Sequence, residues 1–222
     1  MSMHPWNVTP KEAIEIQKKL RDAVKIEPLL KTPRYIAGAD VSLNMFSKTL
    51  YAGIVVFSYP DLEIVDRAFV KTETQFPYIP GLLSFREIPG LIQCFEKLTQ
   101  KPDLMVVDGQ GIAHPRRLGI ASHVGVLLNI PTIGCAKSLL VGEFDSSVKP
   151  ISPVVDPKNK EIIGAALFTK KNCKPVIISP GHLITLEESL AIVQKTLRGY
   201  RLPEVTRQAH NLVNEFRIAN ST

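Results

Sequence analysis

The sequence predicts one α/β domain, residues 1–222, built on a mixed β-sheet flanked by helices. Three observations carry that prediction. Three strand-like runs lie within residues 35–71 with short links between them, which makes an antiparallel three-strand meander. Two short apolar runs, 104–108 (LMVVD) and Pro131–Ala136, are separated by a helical stretch, the pattern of buried parallel strands. Amphipathic helices open and close the chain.

The first helix starts at Thr9-Pro10-Lys11-Glu12, a capping box with proline at the first helical position. Ala13, Ile16, Leu20 and Val24 follow at helical spacing and extend it to about Val24. Residues 25–34, with Pro28 and Pro33, read as a connector. The meander strands are Tyr35–Val41, Leu50–Tyr59 and Leu62–Lys71, the last two joined by the turn Pro60-Asp61. A proline-rich loop (72–82) leads to a helix with Leu91, Ile92, Phe95 and Leu98 on one face. After the strand at 104–108, the glycine-rich loop 109–119 enters an apolar helix that ends near Leu128. Residues 145–160 read as an exposed excursion, followed by strands Ile162–Phe168 and Val176–Ser179. A second capping box, Thr185 with Glu188, opens a helix with Leu186, Leu190, Val193 and Leu197 inward. Pro203 opens the last helix, carrying Val205, Ala209, Leu212 and Phe216. With the first meander strand beside 104–108, a topological switch point arises between them, where sites in open α/β sheets gather.

Composition excludes several classes. The 222 residues are 45% hydrophobic and 22% charged, ordinary for a globular chain and unlike a disordered one. A chain this long buries roughly 70–75% of its unfolded surface, so it needs no disulfide or metal staple to fold. The three cysteines, Cys94, Cys135 and Cys173, are far apart and form no Cys-x-x-Cys pair, which argues against a disulfide framework or structural zinc. The N-terminal residues lack an apolar signal core, and no apolar run approaches the ~20 residues of a membrane span. The expectation is a cytoplasmic protein without membrane association. A net charge of +6 suits a polyanionic partner.

Most carboxylates can be solvated surface charges, but Asp40 and Asp108 resist that reading. Asp40 lies inside the strand YIAGADVSL, and Asp108 ends the buried run LMVVD. A buried, unpartnered carboxylate is costly, and a divalent cation is the partner that justifies two. Magnesium is typically held by one or two carboxylates plus waters and phosphate oxygens. Glu87 is a third candidate. Ser84 and Glu87 could form a capping box, but Pro89 would then break the ladder past the first turn, so the helix is expected to start or kink near Pro89 and leave Glu87 free. One carboxylate on the first strand, one near the next helix and one on the fourth strand is the ribonuclease-H-like arrangement.

YIAGADVS, PYIPGLLSFRE, KPDLMVVDGQGIAHPRRLGIASH, PTIGCAKSLL and YRLPEVTRQAH resemble endonuclease V, the deoxyinosine-directed nuclease family, over residues 35–210. The resemblance implies a ribonuclease-H-like fold and a Mg²⁺-dependent endonuclease, with Mn²⁺ as a plausible substitute. It implies cleavage of the second phosphodiester bond 3′ to hypoxanthine, leaving 3′-hydroxyl and 5′-phosphate ends, as a DNA-repair activity. Asp40, Glu87 and Asp108 match the family's metal-binding carboxylates. Lys137 matches a lysine near the scissile phosphate, and His210 a fourth site position, though alone it would read as a surface histidine. Tyr78, Ile79 and Pro80 match a rigid wedge that holds the base stack open while the target base flips out. Gly81, Leu83, Gly109 and Gly111 would line the base pocket; His114, Arg116 and Arg117 lie beside the site for substrate binding, with Arg116 and Arg117 as candidates for phosphate contacts. The implied partner is deoxyinosine-containing DNA, with inosine in RNA as the alternative, and the protein is expected to act as a monomer.

Two readings from other classes compete. VVDGQG resembles the start of a dinucleotide-binding turn, but no third glycine follows at the required spacing and Asp108 would face the pyrophosphate. A non-catalytic nucleic-acid-binding module of the same fold would not need Asp40, Glu87 and Asp108 together.

Overall fold

In the computed structural model, which describes residues 4–44 and 47–221, the meander forms as its three runs predict. β1 (Tyr35–Leu43), β2 (Thr49–Ser58) and β3 (Ile64–Glu73) pair antiparallel in sequence order. Leu62, expected in the third strand, instead belongs to the preceding turn with a φ of 66°. Met45 and Phe46, in the link from β1 to β2, lie outside the described residues.

β4 (Leu104–Val107) lies parallel to β1, with Val107 opposite Ala39, and β5 (Thr132–Ala136) lies parallel to β4. β6 (Ile151–Val155), β7 (Ile162–Leu167) and β8 (Val176–His182) complete an eight-stranded sheet in the order β3-β2-β1-β4-β5-β8-β7-β6. This mixed sheet is the expected ribonuclease-H-like architecture. Chain direction splits between β1 and β4, so their carboxyl ends meet at the anticipated switch point.

Among the described residues, five α-helices cover the sheet: α1 (Pro10–Leu20), α2 (Leu83–Lys97), α3 (Ile120–Leu128), α4 (Leu186–Lys195) and α5 (Glu204–Ala219). Alternation along each strand decides which helix packs where. Ala37, Ala39, Met105 and Val107 face α2 and α3 with Ile88, Leu91 and Val124. Ile36, Leu104 and Val106 face the opposite layer with Val193, Val205 and Ala209 of α4 and α5. Each fully buried aliphatic side chain contributes roughly 1.5–3 kcal/mol, so these two layers fix the helices on the sheet. At Gly38 a Cβ would stand 2.1 Å from the Val205 carbonyl oxygen. Only glycine lets the start of α5 lie directly on β1.

Four further expectations are corrected. α2 starts at Leu83 and continues through Pro89, with no side-chain cap from Ser84. Its core contacts through Ile88, Leu91 and Cys94 outweigh the hydrogen bond that Pro89 cannot donate. Within 145–160, β6 pairs with β7 and buries Ser152 and Val154. Pro153 hid this strand from the sequence, yet it is tolerated because β6 is the sheet edge and Pro153 faces outward. α1 gives way at Leu20 to a 3-10 turn, Arg21–Ala23, and the helix buries Ala13 and Gln17 rather than a purely apolar stripe. The inward face of α4 is Ser189, Ile192 and Val193, and Leu197 lies past its end.

Candidate active site

Asp40 projects from β1 and Asp108 immediately follows β4, whose parallel pairing continues one step beyond the strand as the Asp108 N–H donates to the Ala39 carbonyl at 3.0 Å. Lys137 follows β5, the next strand across, and its Nζ lies 2.5 Å from Asp108 Oδ2. Glu87 reaches in from α2, buried at 9% exposure. His210 comes from α5, where the glycine at position 38 lets the helix approach. One ligand atom each from Asp40, Asp108 and His210 fall within 4.8 Å of one another. Residues that are 170 positions apart in the chain thus share one spot.

The electrostatics record crowded negative charge. Burial, then Asp40 and Asp108, push the Glu87 carboxyl well above its ordinary value, with Arg86 opposing. Burial and Asp40 also raise Asp108, countered by Lys137. Burial lowers Lys137, but Asp108 and Asp40 outweigh it and hold the ammonium charged to higher pH.

His210 is oriented by a chain of hydrogen bonds. Arg217 Nε donates to Ser42 Oγ at 3.0 Å, and the Ser42 hydroxyl donates to Asn214 Oδ1 at 2.8 Å. Asn214 Nδ2 then donates to His210 Nε2 at 3.1 Å, and His210 Nδ1 donates to Asp40 Oδ2 at 2.9 Å. An ionised carboxylate only accepts, so the imidazole carries a proton on Nδ1, and in the neutral ring Nε2 accepts from the Asn214 amide. The Asp40 contact raises the His210 pKa against the burial that lowers it.

The donor set fits a hard divalent cation. Asp40 and Asp108 at the centre, with Glu87 beside them, crowd three carboxylates whose mutual repulsion raises Glu87 and Asp108 and which a cation would relieve. Oxygen-rich sites of this kind suit Mg²⁺ or Mn²⁺. Because both His210 nitrogens already make hydrogen bonds, the imidazole is suited to hold Asp40 in place rather than to act as a ligand itself.

Beside the carboxylates lies a cavity of about 340 Å³, within the roughly 300–1,000 Å³ common for ligand pockets. Asp40, Glu87, Asp108 and Lys137 form one end. Tyr78, Ile79, Pro80, Gly81 and Leu83 form a second wall, and Gly109 and His114 belong to a third. Tyr78 stands 69% exposed at the rim rather than packing on its own domain. Leu83 and Ser84 at the start of α2, and Gly119 and Ile120 at the start of α3, line the same cavity; neither start has a side-chain cap, and at α3 the Gly119 and Ala121 N–H groups donate to the Gly111 and Gln110 carbonyls. The start of α2, without a side-chain cap, turns N–H donors and a positive dipole end toward this region.

Gly81 has a φ of +80°, and its carbonyl accepts from His114 Nε2 at 3.0 Å, Arg116 Nη2 at 2.6 Å and Gln17 Nε2 at 3.1 Å. Burial and the Arg116 charge lower the His114 pKa to about 4, so this imidazole stays neutral at physiological pH. Three expected residues sit elsewhere. Arg116 is turned toward Gln17 and Gly81, and Arg117 pairs with Asp156 at 2.5 Å and Glu161 at 2.9 Å. Gly111 packs against the Pro180 carbonyl, where a Cβ would be 2.2 Å away. Sequence reasoning missed Gln17, Gln110, Gly119 and Ile120 in the lining, and Ser42, Asn214 and Arg217 behind His210. Gln17 had a sequence signal: an amide four residues after Ala13, on the face meant for the core.

A family model described as Endonuclease V matches residues 18–211. An endonuclease V of Gloeobacter violaceus is 48% identical, spanning 99% of this chain and 91% of its own. The crystal structure of the endonuclease V of Streptomyces avermitilis superposes with a TM-score of 0.90 at 35% identity, covering 98% of this chain and 96% of that one. The endonuclease V of Ciona intestinalis, in complex with a 24mer DNA containing an inosine followed by a ribo-adenosine, has a TM-score of 0.84 at 28% identity, covering 93% of this chain and 96% of that one.

Proposed function

The chain belongs to the endonuclease V family, and from that premise we propose that it is a Mg²⁺-dependent endonuclease of DNA repair that flips out hypoxanthine and hydrolyses the second phosphodiester bond on its 3′ side. The products carry 3′-hydroxyl and 5′-phosphate ends. The observation that carries this reading is the meeting of Asp40, Asp108 and His210 within 4.8 Å, with Glu87 beside them and a base-sized cavity adjoining.

Asp40 and Asp108 would hold the metal, with Glu87 completing the oxygen-rich set. Magnesium there would lower the pKa of a bound water and neutralise charge on the phosphate. Lys137 supplies a fixed cation opposing charge that builds on the phosphate oxygens. His210 keeps Asp40 in one orientation through its Nδ1–H. Tyr78, stiffened by Pro77 and Pro80, would fill the gap left by the flipped base, offsetting an unstacking cost of a few kcal/mol. The base would enter the cavity beside the start of α2, whose main-chain N–H groups would meet its acceptor atoms. A tight wall would exclude guanine by its 2-amino group, while adenine presents a donor where hypoxanthine presents an acceptor.

The test uses matched oligonucleotides carrying deoxyinosine, ribo-inosine, uracil or an abasic site, with Mg²⁺, with Ca²⁺ and with a chelator. The expected result is a single nick one nucleotide beyond the deoxyinosine 3′ neighbour bond, in Mg²⁺ only. Calcium's longer, less regular coordination should permit binding without turnover. Undiminished cleavage in the chelator, or equal cleavage at every base, would remove this reading.

A further inference from the structure

We propose that Gln17, on a helix outside the catalytic layer, is a positioning residue that sets the width of the base pocket and thereby its selectivity; this rests on the hypoxanthine reading above. α1 buries just two residues, Ala13 and Gln17, and Gln17 is 1% exposed. A long polar side chain at the centre of an inward face loses hydration unless every polar atom finds a partner. Here they do. Nε2 donates to the Gly81 carbonyl at 3.1 Å and to the Leu118 carbonyl at a longer 3.4 Å, and Oε1 accepts from Arg116 Nε at 2.5 Å.

These partners stand on different walls. Gly81 ends the loop that carries Tyr78, and Leu118 directly precedes Gly119 and Ile120 at the start of α3. His114 and Arg116 tie Gly81 to their own loop, whereas Gln17 inserts from a third element and ties Gly81 to the start of α3. The orientation of the amide has one solution. Turned over, its oxygen would face two carbonyl oxygens and its nitrogen would face a guanidinium. The spacing between the two walls therefore rests on the two N–H donors of Gln17 together with the His114 and Arg116 contacts to the same Gly81 carbonyl.

A flipped purine lies between those walls, and discrimination against a 2-substituent requires that they not part. Gln17→Glu removes both donors while keeping the size of the side chain and its contact with Arg116. Gln17→Met removes the donors and the Arg116 contact together. Loss of two buried donors should lower selectivity about tenfold or more.

The test measures, for the full chain and both variants, affinity in chelator by fluorescence anisotropy for otherwise identical oligonucleotides carrying deoxyinosine, deoxyguanosine or deoxyxanthosine at one position. Cleavage in Mg²⁺ of the deoxyinosine and deoxyxanthosine strands is measured alongside. The affinity ratios do not depend on how much of the protein is folded. We expect both ratios to fall about tenfold in Q17E and Q17M, with a raised KM for deoxyinosine and kcat within about threefold. Unchanged ratios in either variant overturn the proposal, even if activity falls through lost stability. A wild-type protein that shows no preference for deoxyinosine would instead remove the base-specific reading itself.

Discussion

His210 Nδ1 lies 2.9 Å from Asp40 Oδ2, and this contact ends a hydrogen-bond chain that begins at Arg217 on the same helix. α5 thus does two things at once. Its apolar face packs on β1, and its polar face selects the tautomer that holds a site carboxylate.

Replacing Asn214 with leucine should therefore lower kcat by about tenfold to a hundredfold, the range for residues behind a metal site, with little change in KM. Nitrogen NMR of the metal-free protein should show a changed His210 tautomer population. An unaltered tautomer together with an unaltered kcat would mean that the chain of hydrogen bonds has no bearing on the reaction.

Glu87 makes the metal-free protein sensitive to pH. Its folded pKa is raised above the ordinary 4.5, so the folded state binds the proton more tightly than the unfolded state. The stability this confers is full below pH 4.5 and is lost as pH rises through the folded pKa. The Glu87 contribution to the melting temperature in chelator should fall as pH rises from 4.5, so wild type minus Glu87→Gln should decline with rising pH, and Glu87→Gln should eliminate cleavage. Added Mg²⁺ should stabilise the wild type more at the high end of the range. A parallel pH dependence in the two proteins would refute the repulsion argument.

Tyr78→Ala should leave the melting temperature unchanged, since the ring stands 69% exposed. Cleavage of deoxyinosine in duplex should drop about tenfold or more relative to single strand, because a duplex has more stacking to lose. Equal losses on both substrates would show that Tyr78 stacks directly on the base.

Much of the site was legible because the sequence carries its anomalies locally. Asp40 and Asp108 interrupt apolar runs, and a charge in such a run demands a partner wherever the chain goes. The meander was legible from its short links. What escaped depends on long-range register. Ser42, Asn214 and Arg217 are ordinary polar residues until α5 docks across β1. Pro89 and Pro153 each obscured a regular element, because a proline's local cost was outweighed by burial in one case and by an edge position in the other. Arg117 looked like a phosphate contact until β6 and β7 brought Asp156 and Glu161 to it.

His123 gives a second pH dependence, of opposite sign. It is fully buried on α3, and burial followed by the charges of His4 and His114 lowers its pKa to about 3. Stability from this group is complete above 6.5 and is lost as pH falls toward 3, because the unfolded chain takes up a proton that the folded chain cannot. His123→Phe should reduce the acid sensitivity of the melting temperature between pH 6.5 and 4. An unchanged acid profile would assign the loss to other groups.

The same cluster turns the protein into its own reporter. Trp6 is the single tryptophan, and its ring centroid lies 4.4 Å from His4, 5.7 Å from His123 and 6.0 Å from Phe85. Its emission therefore follows one event, the seating of the N-terminal segment against α3 and the first turn of α2, two residues from Glu87. Imidazolium quenches indole, so acid titration of the fluorescence should trace protonation of this pair before far-ultraviolet circular dichroism records any loss of helix. An unfolding curve read by tryptophan alone would describe that corner of the molecule, and a spectroscopist comparing the two signals would learn whether the N-terminal segment lifts away while the sheet remains whole.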